Sequence, residues 1–434
     1  MRFTNITAPR PFAILGITLA CAMATPVSAV TFKGPDANFL AAAESIGMTG
    51  ETWETPELIA AAMPHVYKFS HSYTLHKGDY VRHLKQSSAP MDLAKILVRD
   101  FDGTLSAQDF LLNRMQNHNA VILKNGEVMH EHYGNGLTEH APHLDMSVSK
   151  SFTAMAAAIA VDKGLMGWND LAIDYVPELL GTAFKAATVQ EISDMRTAVV
   201  LAAGTVEKYW DTRLSDAQGY YGQEKSAPYP NGTLDFFPLI TERQNYAMGE
   251  KYDYQDVNSE LLGLIVDRAS GESFTNILER DLLQKAGVAA DAHFMSDKKG
   301  LAMGSTGLNM ATKDLARVGL LFLNEGRNEK GEQVIPEDFV ANLWEGNDIV
   351  RSAWLKGKES ALAGGHYKDQ FRVLEIGDKR ILAMIGVNGQ VCAMHKETNS
   401  VIALNGAYPM AETPRFAMMQ FHQLIPSLID ALAD

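Results

Sequence analysis

Cysteine is nearly missing from this chain, with two in 434 residues. Cys21 lies in a leader-like N-terminal segment, so Cys392 would be the sole cysteine of a processed chain. No intramolecular disulfide can then staple the fold. Long apolar runs are missing too. Phe12–Met23 is too short to cross a bilayer, and no other segment has the length or hydropathy of a membrane span. Basic excess is absent: 38 Lys+Arg face 52 Asp+Glu, a formal charge of −14. That balance argues against nucleic acid or an anionic membrane as partner. Several chemistry-bearing patterns are absent as well. There is no Gly-x-Ser-x-Gly elbow, P-loop, dinucleotide fingerprint, Cys-x-x-Cys or His-Glu-x-x-His. His130, His132, His140 and His143 cluster in sequence without metal-ligand spacing, so no metal and no cofactor is expected. No pair of carboxylates stands out as a glycosidase pair.

What is present begins with a leader. Arg2 and Arg10 flank the apolar run, and Val27-Ser28-Ala29 offers a small-residue cleavage site, the pattern of a secretory signal. Cleavage after Ala29 removes two arginines and no acid, which takes the charge to −16. Thr18-Leu-Ala-Cys21 is a poor lipoprotein box because its leucine is one place out of position. A periplasmic or secreted protein is expected.

The most informative stretch is Ser147-Val-Ser-Lys150. It opens a segment with Phe152, Met155 and Ile159 at helical spacing, closed by Gly164. Residues three apart share a helix face, so a hydroxyl and an amine meet at the helix N-terminus. The macrodipole there favours developing negative charge. Serine is a weak nucleophile until a neighbouring base takes its proton. The plainer alternative is a serine cap beside a solvated lysine. Ser296-Asp-Lys-Lys299 has the same spacing, but glycines and no apolar stripe follow, so it reads as a surface loop. A lysine is a poor base at neutral pH unless its pKa falls. Tyr254, at the loop-to-helix junction Tyr254-Gln-Asp256-Val-Asn258, is a second proton-transfer candidate. Tyr133-Gly-Asn135 and Tyr229-Pro-Asn231 open no apolar helix.

Residues 30–105 read as a mixed N-terminal extension. Ser106 is a plausible N-cap for a helix to Asn117. Asn125-Gly126 joins two strands in a type I′ hairpin. Residues 165–345 read as mainly helical, and strands return at 371–376, 380–385, 390–394 and 400–404. Thr413-Pro414 caps a last helix. Strands at both ends with helices between predict an α/β sandwich. The Ser147 helix would then lie between the sheet and the helical part.

Met146-Ser-Val-Ser-Lys-Ser-Phe-Thr, Tyr175-Val-Pro-Glu-Leu, Asp194-Met-Arg-Thr and the Tyr254 segment together resemble the serine β-lactamase-related hydrolases. Gly307-Leu-Asn-Met-Ala-Thr-Lys-Asp-Leu-Ala-Arg-Val-Gly and Gly386-Val-Asn-Gly-Gln390 extend the likeness. That group includes class C β-lactamases, D-Ala-D-Ala peptidases, esterases and aminohexanoate-dimer hydrolases, and the last branch is nearest in motifs. The resemblance implies a β-lactamase-like fold over 106–434, with an antiparallel sheet and an inserted helical subdomain. It implies Ser147 as nucleophile, Lys150 as its base partner and Tyr254 as the second proton carrier. It also implies the Val387 amide beside Gly386 as half of an oxyanion hole. Asn388, Asp256 and Asn258 would be binding residues, and Tyr209 would match a loop tyrosine of the aminohexanoate branch.

Two departures bear on substrate. The family's Lys-Thr-Gly motif aligns with Met384-Ile385-Gly386, so its cation is missing, and Asp256 stands where class C enzymes have asparagine. The expected activity is therefore hydrolysis of a small ester or amide through an acyl-enzyme, without a cofactor. A penicillin-recognising peptidase or β-lactamase is the rival enzyme, and a sensor without turnover is the rival non-enzyme. N-terminal sequencing of exported protein should find Val30 first. A mature chain starting at a lipidated Cys21 would show the other processing route.

Overall fold

The computed structural model describes residues 30–201, 211–410 and 414–433. The leader, Tyr209 and the proposed cap Thr413 lie outside the described residues. A seven-stranded antiparallel sheet runs in spatial order Gly364–Lys368, Phe371–Ile376, Lys379–Gly386, Gln390–His395, Ser400–Gly406, Asn117–Lys124 and Glu127–Tyr133. The C-terminal strands thus pair with the N-terminal hairpin, Ile402 opposite Ile122. The hairpin turns at Asn125 (φ 52°) and Gly126 (φ 77°), the left-handed pair that a type I′ turn requires. The edge strand Gly364–Lys368 was not legible as a strand, since Gly364 and Gly365 break its pattern.

Alternation divides the sheet into two faces. Val121, Phe371, Leu382, Met384, Cys392 and Val401 belong to one buried core with Val148 and Phe152 of the central helix. Ile122, Ile381, Ala383, Ile385, Val391 and Ile402 pack against Phe416, Leu424 and Leu428 near the C-terminus. The Val148–Asp162 helix is buried at every position from Val148 to Ala160. It lies between the sheet and the Asp256–Ser270 helix. Ala154, Ala156, Ala157 and Ala160 let it approach both neighbours closely. It ends at Lys163, and Gly164 follows at φ 69°.

The extension is less separate than the sequence suggests. Thr31–Lys33 and His71–Leu75 join a second sheet with Ala292–Ser296, Leu308–Met310 and His143–Leu144. Two of those strands lie in the span expected to be mainly helical. Ser87 and Met91 donate backbone bonds to Val128 and Met129 of the main sheet's edge strand. Ser296 is the last residue of its strand and is buried, so the surface loop expected of the second Ser-x-x-Lys copy begins only after it, in the turn that holds the exposed Lys299. Ser106 caps its helix by accepting from the Asp109 amide.

Burial sets the acid–base behaviour of the fold. His118 and His143 share a ring-nitrogen bond of 3.1 Å. Burial pushes His118, His132, His293 and His366 down to about 4 and His143 to about 3. Their contribution is full above the unfolded value near 6.5 and is lost as pH falls toward these folded values. Burial pushes Asp145 and Asp267 up to about 8 and Glu260 to about 7, which works oppositely: their contribution falls as pH rises through those values. Among these most strongly shifted groups, five histidines oppose three carboxylates between about pH 4 and 6.5, and only the carboxylates act above it. Calorimetry from pH 4 to 9 should therefore give a maximal Tm close to pH 6.5. His118→Gln should flatten the acid side.

Candidate functional site

The turn before Ser147 is built under strain. Met146 holds φ 49°, a left-handed value uncommon outside glycine. The turn is fixed from below by Asp145, which accepts from the Met310 amide at 2.9 Å and the Asn405 amide at 3.0 Å. Asn405 also donates to Gln390 Oε1 at 3.0 Å, and Gln390 Nε2 donates to the Val387 carbonyl at 3.2 Å. One buried chain of hydrogen bonds thus ties the Ser147 turn to the Val387 turn. Gly386 completes the contact. A Cβ there would meet the Asp145 carbonyl oxygen at 2.5 Å and Met146 Cβ at 3.0 Å.

Ser147 occupies the cap position of the helix but makes no side-chain cap bond. Its Oγ instead accepts from Lys150 Nζ at 2.9 Å, which disposes of the plain capping alternative. Lys150 is fully buried. Its ammonium also donates to the Ser305 carbonyl at 2.9 Å and pairs with Asp256 Oδ1 at 2.6 Å. Tyr254 bonds to it as well, with the ring centroid 5.1 Å from Nζ. The Arg372 guanidinium lies over the same ring at 4.6 Å. Burial opposes charge on Lys150, but Asp256 and Tyr254 outweigh it and hold the amine above its ordinary range. Burial raises the Asp256 carboxyl, and Lys150 pulls it back.

Glu260, one helical turn beyond Asp256, was missed by sequence reasoning. It accepts from the Gly304 amide at 2.9 Å, the Ser305 amide at 3.0 Å and the Ser305 hydroxyl at 2.5 Å. It thereby fixes the loop whose carbonyl holds Lys150. The i, i+4 spacing of Asp256 and Glu260 was the available signal.

A cleft of about 430 Å³ opens over these groups. Ser147, Asp256, Ser305, Val387 and Asn388 line it with Tyr220, Tyr221, Glu51 and Glu54. The last two come from the N-terminal segment, whose part in the cleft had no signature. Glu51 pairs with Lys225 at 2.6 Å, and Glu54 accepts from the Tyr221 hydroxyl at 2.7 Å. No lysine or arginine is among the described lining residues.

The structure brings together Ser147, Lys150, Tyr254, Asp256, Val387 and Asn388. The Asn388 side chain is turned away to donate to the Tyr408 carbonyl at 2.8 Å. Asn258 does not face the cleft: it is buried and accepts from the Thr197 hydroxyl at 2.8 Å, securing the Asp194–Thr197 segment. Asp256, the residue in place of the class C asparagine, is paired with Lys150 and so is not a free anion facing the cleft. Met384 is enclosed in the core, so a lysine placed there would be buried rather than presented to a ligand.

The profile of the beta-lactamase family matches residues 113–412. The chain belongs to the beta-lactamase family. Among curated proteins, a 6-aminohexanoate-dimer hydrolase from Paenarthrobacter ureafaciens is 28% identical over 302 residues, 69% of this chain and 75% of that one. Among solved structures, a proposed 6-aminohexanoate-dimer hydrolase from Bacillus anthracis superposes with a TM-score of 0.77. It is 19% identical and covers 92% of this chain and 98% of its own. A proposed β-lactamase from Bacteroides dorei gives 0.57 at 16% identity, covering 76% and 98%. The fold and the hydrolase family are thus those the motifs pointed to.

Gly386→Ala should test the closeness of the two turns. Backbone at 2.5 Å cannot accept a methyl without moving. A displacement on the order of 1 Å at such a site costs about 10²-fold in rate. Hydrolysis of a nitrophenyl ester should fall by about that factor, while the melting temperature changes by only a few degrees.

Proposed function

We propose that this protein is an exported serine hydrolase that cleaves a small ester or amide through an acyl-enzyme on Ser147. The observation that carries the reading is the 2.9 Å bond between Lys150 Nζ and Ser147 Oγ, buried beneath but opening onto the cleft. Ser147 attacks the carbonyl carbon as its proton passes to the Lys150–Tyr254 pair. The Ser147 amide opens the helix, where the first N–H groups have no intrahelical acceptor. With the Val387 amide it forms an oxyanion hole. The leaving group takes a proton back from the Tyr254–Lys150 pair. Water then enters by the same route and releases the acid.

The charge of the cleft supports a neutral or cationic substrate. Glu51 and Asp256 have cationic partners; burial raises the Glu54 carboxyl, and the Tyr221 hydroxyl it accepts from works the other way, toward its ionised form. Like charges ~4 Å apart cost about 1 kcal/mol in water and about 4 kcal/mol in a partly dry site. That penalty falls on a penicillin carboxylate and spares a neutral ester. An amine-bearing acyl group, such as 6-aminohexanoate in the name of the Paenarthrobacter relative, suits the same charge.

A fluorophosphonate probe followed by peptide mapping should label Ser147, and Ser147→Ala should lose at least about 10³-fold in kcat/KM. Labelling at another serine would end this reading. Nitrophenyl butyrate should exceed benzylpenicillin by at least about tenfold in kcat/KM. Equal or better turnover of the penicillin would reverse the substrate assignment.

A further inference from the structure

We propose that Asp256 is the terminal acceptor of the Ser147 proton, with Lys150 as the relay that delivers it. The inference rests on the serine-hydrolase reading and adds the residue that makes a charged lysine usable as a base. An ammonium has three N–H groups and no lone pair. Around Lys150 stand the Ser305 carbonyl at 2.9 Å, the Asp256 carboxylate at 2.6 Å, Ser147 Oγ at 2.9 Å and the Tyr254 side chain. The Ser305 carbonyl and Ser147 Oγ accept two of the three hydrogens, and the third is left for the Asp256 carboxylate or Tyr254. In that state Lys150 stabilises charge but cannot take a proton.

The short contact to Asp256 supplies the way out. One N–H proton crosses to the carboxylate, leaving a neutral amine and a neutral acid with no net charge added to the buried site. Burial favours this form, since each charged partner is costly to desolvate. Rotation about the Cε–Nζ bond turns the freed lone pair toward Ser147 Oγ while an N–H stays on the Ser305 carbonyl. As Oγ bonds to the substrate carbonyl carbon, the serine proton passes to nitrogen. The balance is then an ammonium, a protonated Asp256 and one oxyanion. When the tetrahedral species collapses, Lys150 protonates the leaving group and recovers a proton from Asp256.

The surroundings suit this role. Glu260, itself buried beneath Ser305, is pushed up by burial and, to a lesser degree, by the charge of Asp256. Tyr220 lies close enough to sense the Asp256 charge. The Tyr254 ring carries Lys150 Nζ at 5.1 Å and the Arg372 guanidinium at 4.6 Å. Asp256 Oδ1 has no hydrogen-bond donor among the described residues and meets Lys150 Nζ as an ion pair at 2.6 Å, which leaves it open to an arriving proton.

Asp256→Asn is nearly isosteric and removes the acceptor. Lys150 must then be neutral before serine can react, so the acid limb of kcat/KM for nitrophenyl butyrate follows the lysine instead of the carboxylate. That limb should move up by at least about one pH unit, with activity at pH 7 down about tenfold. If Asp256 is only a counter-ion for an obligatory ammonium, the acid limb stays and the alkaline limb moves down, which overturns the proposal. A second measurement needs no variant. Phenylboronic acid adds to the serine oxygen as a tetrahedral anion and leaves the serine proton on the enzyme. Difference infrared spectra of that adduct should show a new protonated-carboxyl band, absent in Asp256→Asn. No such band in the wild-type adduct rules Asp256 out. Retained activity in Ser147→Ala would overturn the serine reading itself, whereas an unmoved acid limb with Ser147 still labelled would overturn this inference alone.

Discussion

The buried pairing of Lys150 with Asp256 is the interaction around which the rest of the molecule is arranged. An isolated ammonium in a dry interior would shed its proton, and an isolated carboxylate would take one up. At 2.6 Å each makes the other tolerable. The pair joins the Val148–Asp162 helix to the Asp256–Ser270 helix at the point where both begin. Removing one partner leaves a buried charge, which in other proteins costs about 3–5 kcal/mol. The neighbouring groups then have fixed tasks. Glu260 holds the loop that caps the ammonium, and Asp145, Asn405 and Gln390 hold the two turns that flank the serine.

Much of this was readable from residues alone. The Asn125-Gly126 turn, the four C-terminal strands and the Ser147 helix announce themselves through turn chemistry and period. Their side-chain patterns are local, and local pattern is what a sequence displays. The edge strand at Gly364–Lys368 escaped because its glycines carry no alternation, and its pairing with Phe371–Ile376 decides its form. The short strands of the second sheet escaped because each is only two to five residues long. Pairing with other segments, more than two hundred residues away for His71–Leu75 against Ala292–Ser296, makes them strands, not propensity.

The groups proposed to react could be named from the sequence, and the residues that support them could not. Ser147, Lys150 and Tyr254 sit in recognisable spacings. The partner of Lys150 was visible only as an odd residue at Asp256, and its role was misjudged because charge was counted without a neighbour to cancel it. Asn258 was misplaced for a related reason. Helix phase turns it from the cleft to Thr197, and two residues of spacing could not show that. Glu54 had no signature at all, since it reaches the cleft from a segment nearly a hundred residues ahead of the serine.

That last arrangement separates two kinds of inheritance. The Val148–Asp162 helix is enclosed on every side, so almost any change there is felt by the sheet, the helix beside it and the lysine together. The wall from Glu51 to Thr55 lines the cleft from the N-terminal segment, and its ion pair to Lys225 and bond to Tyr221 lie apart from Ser147 and Lys150. Substitution can redraw that wall without touching the proton chemistry beneath it. A lineage built on this scaffold can therefore change what it hydrolyses by editing an outer loop while its reaction stays the same.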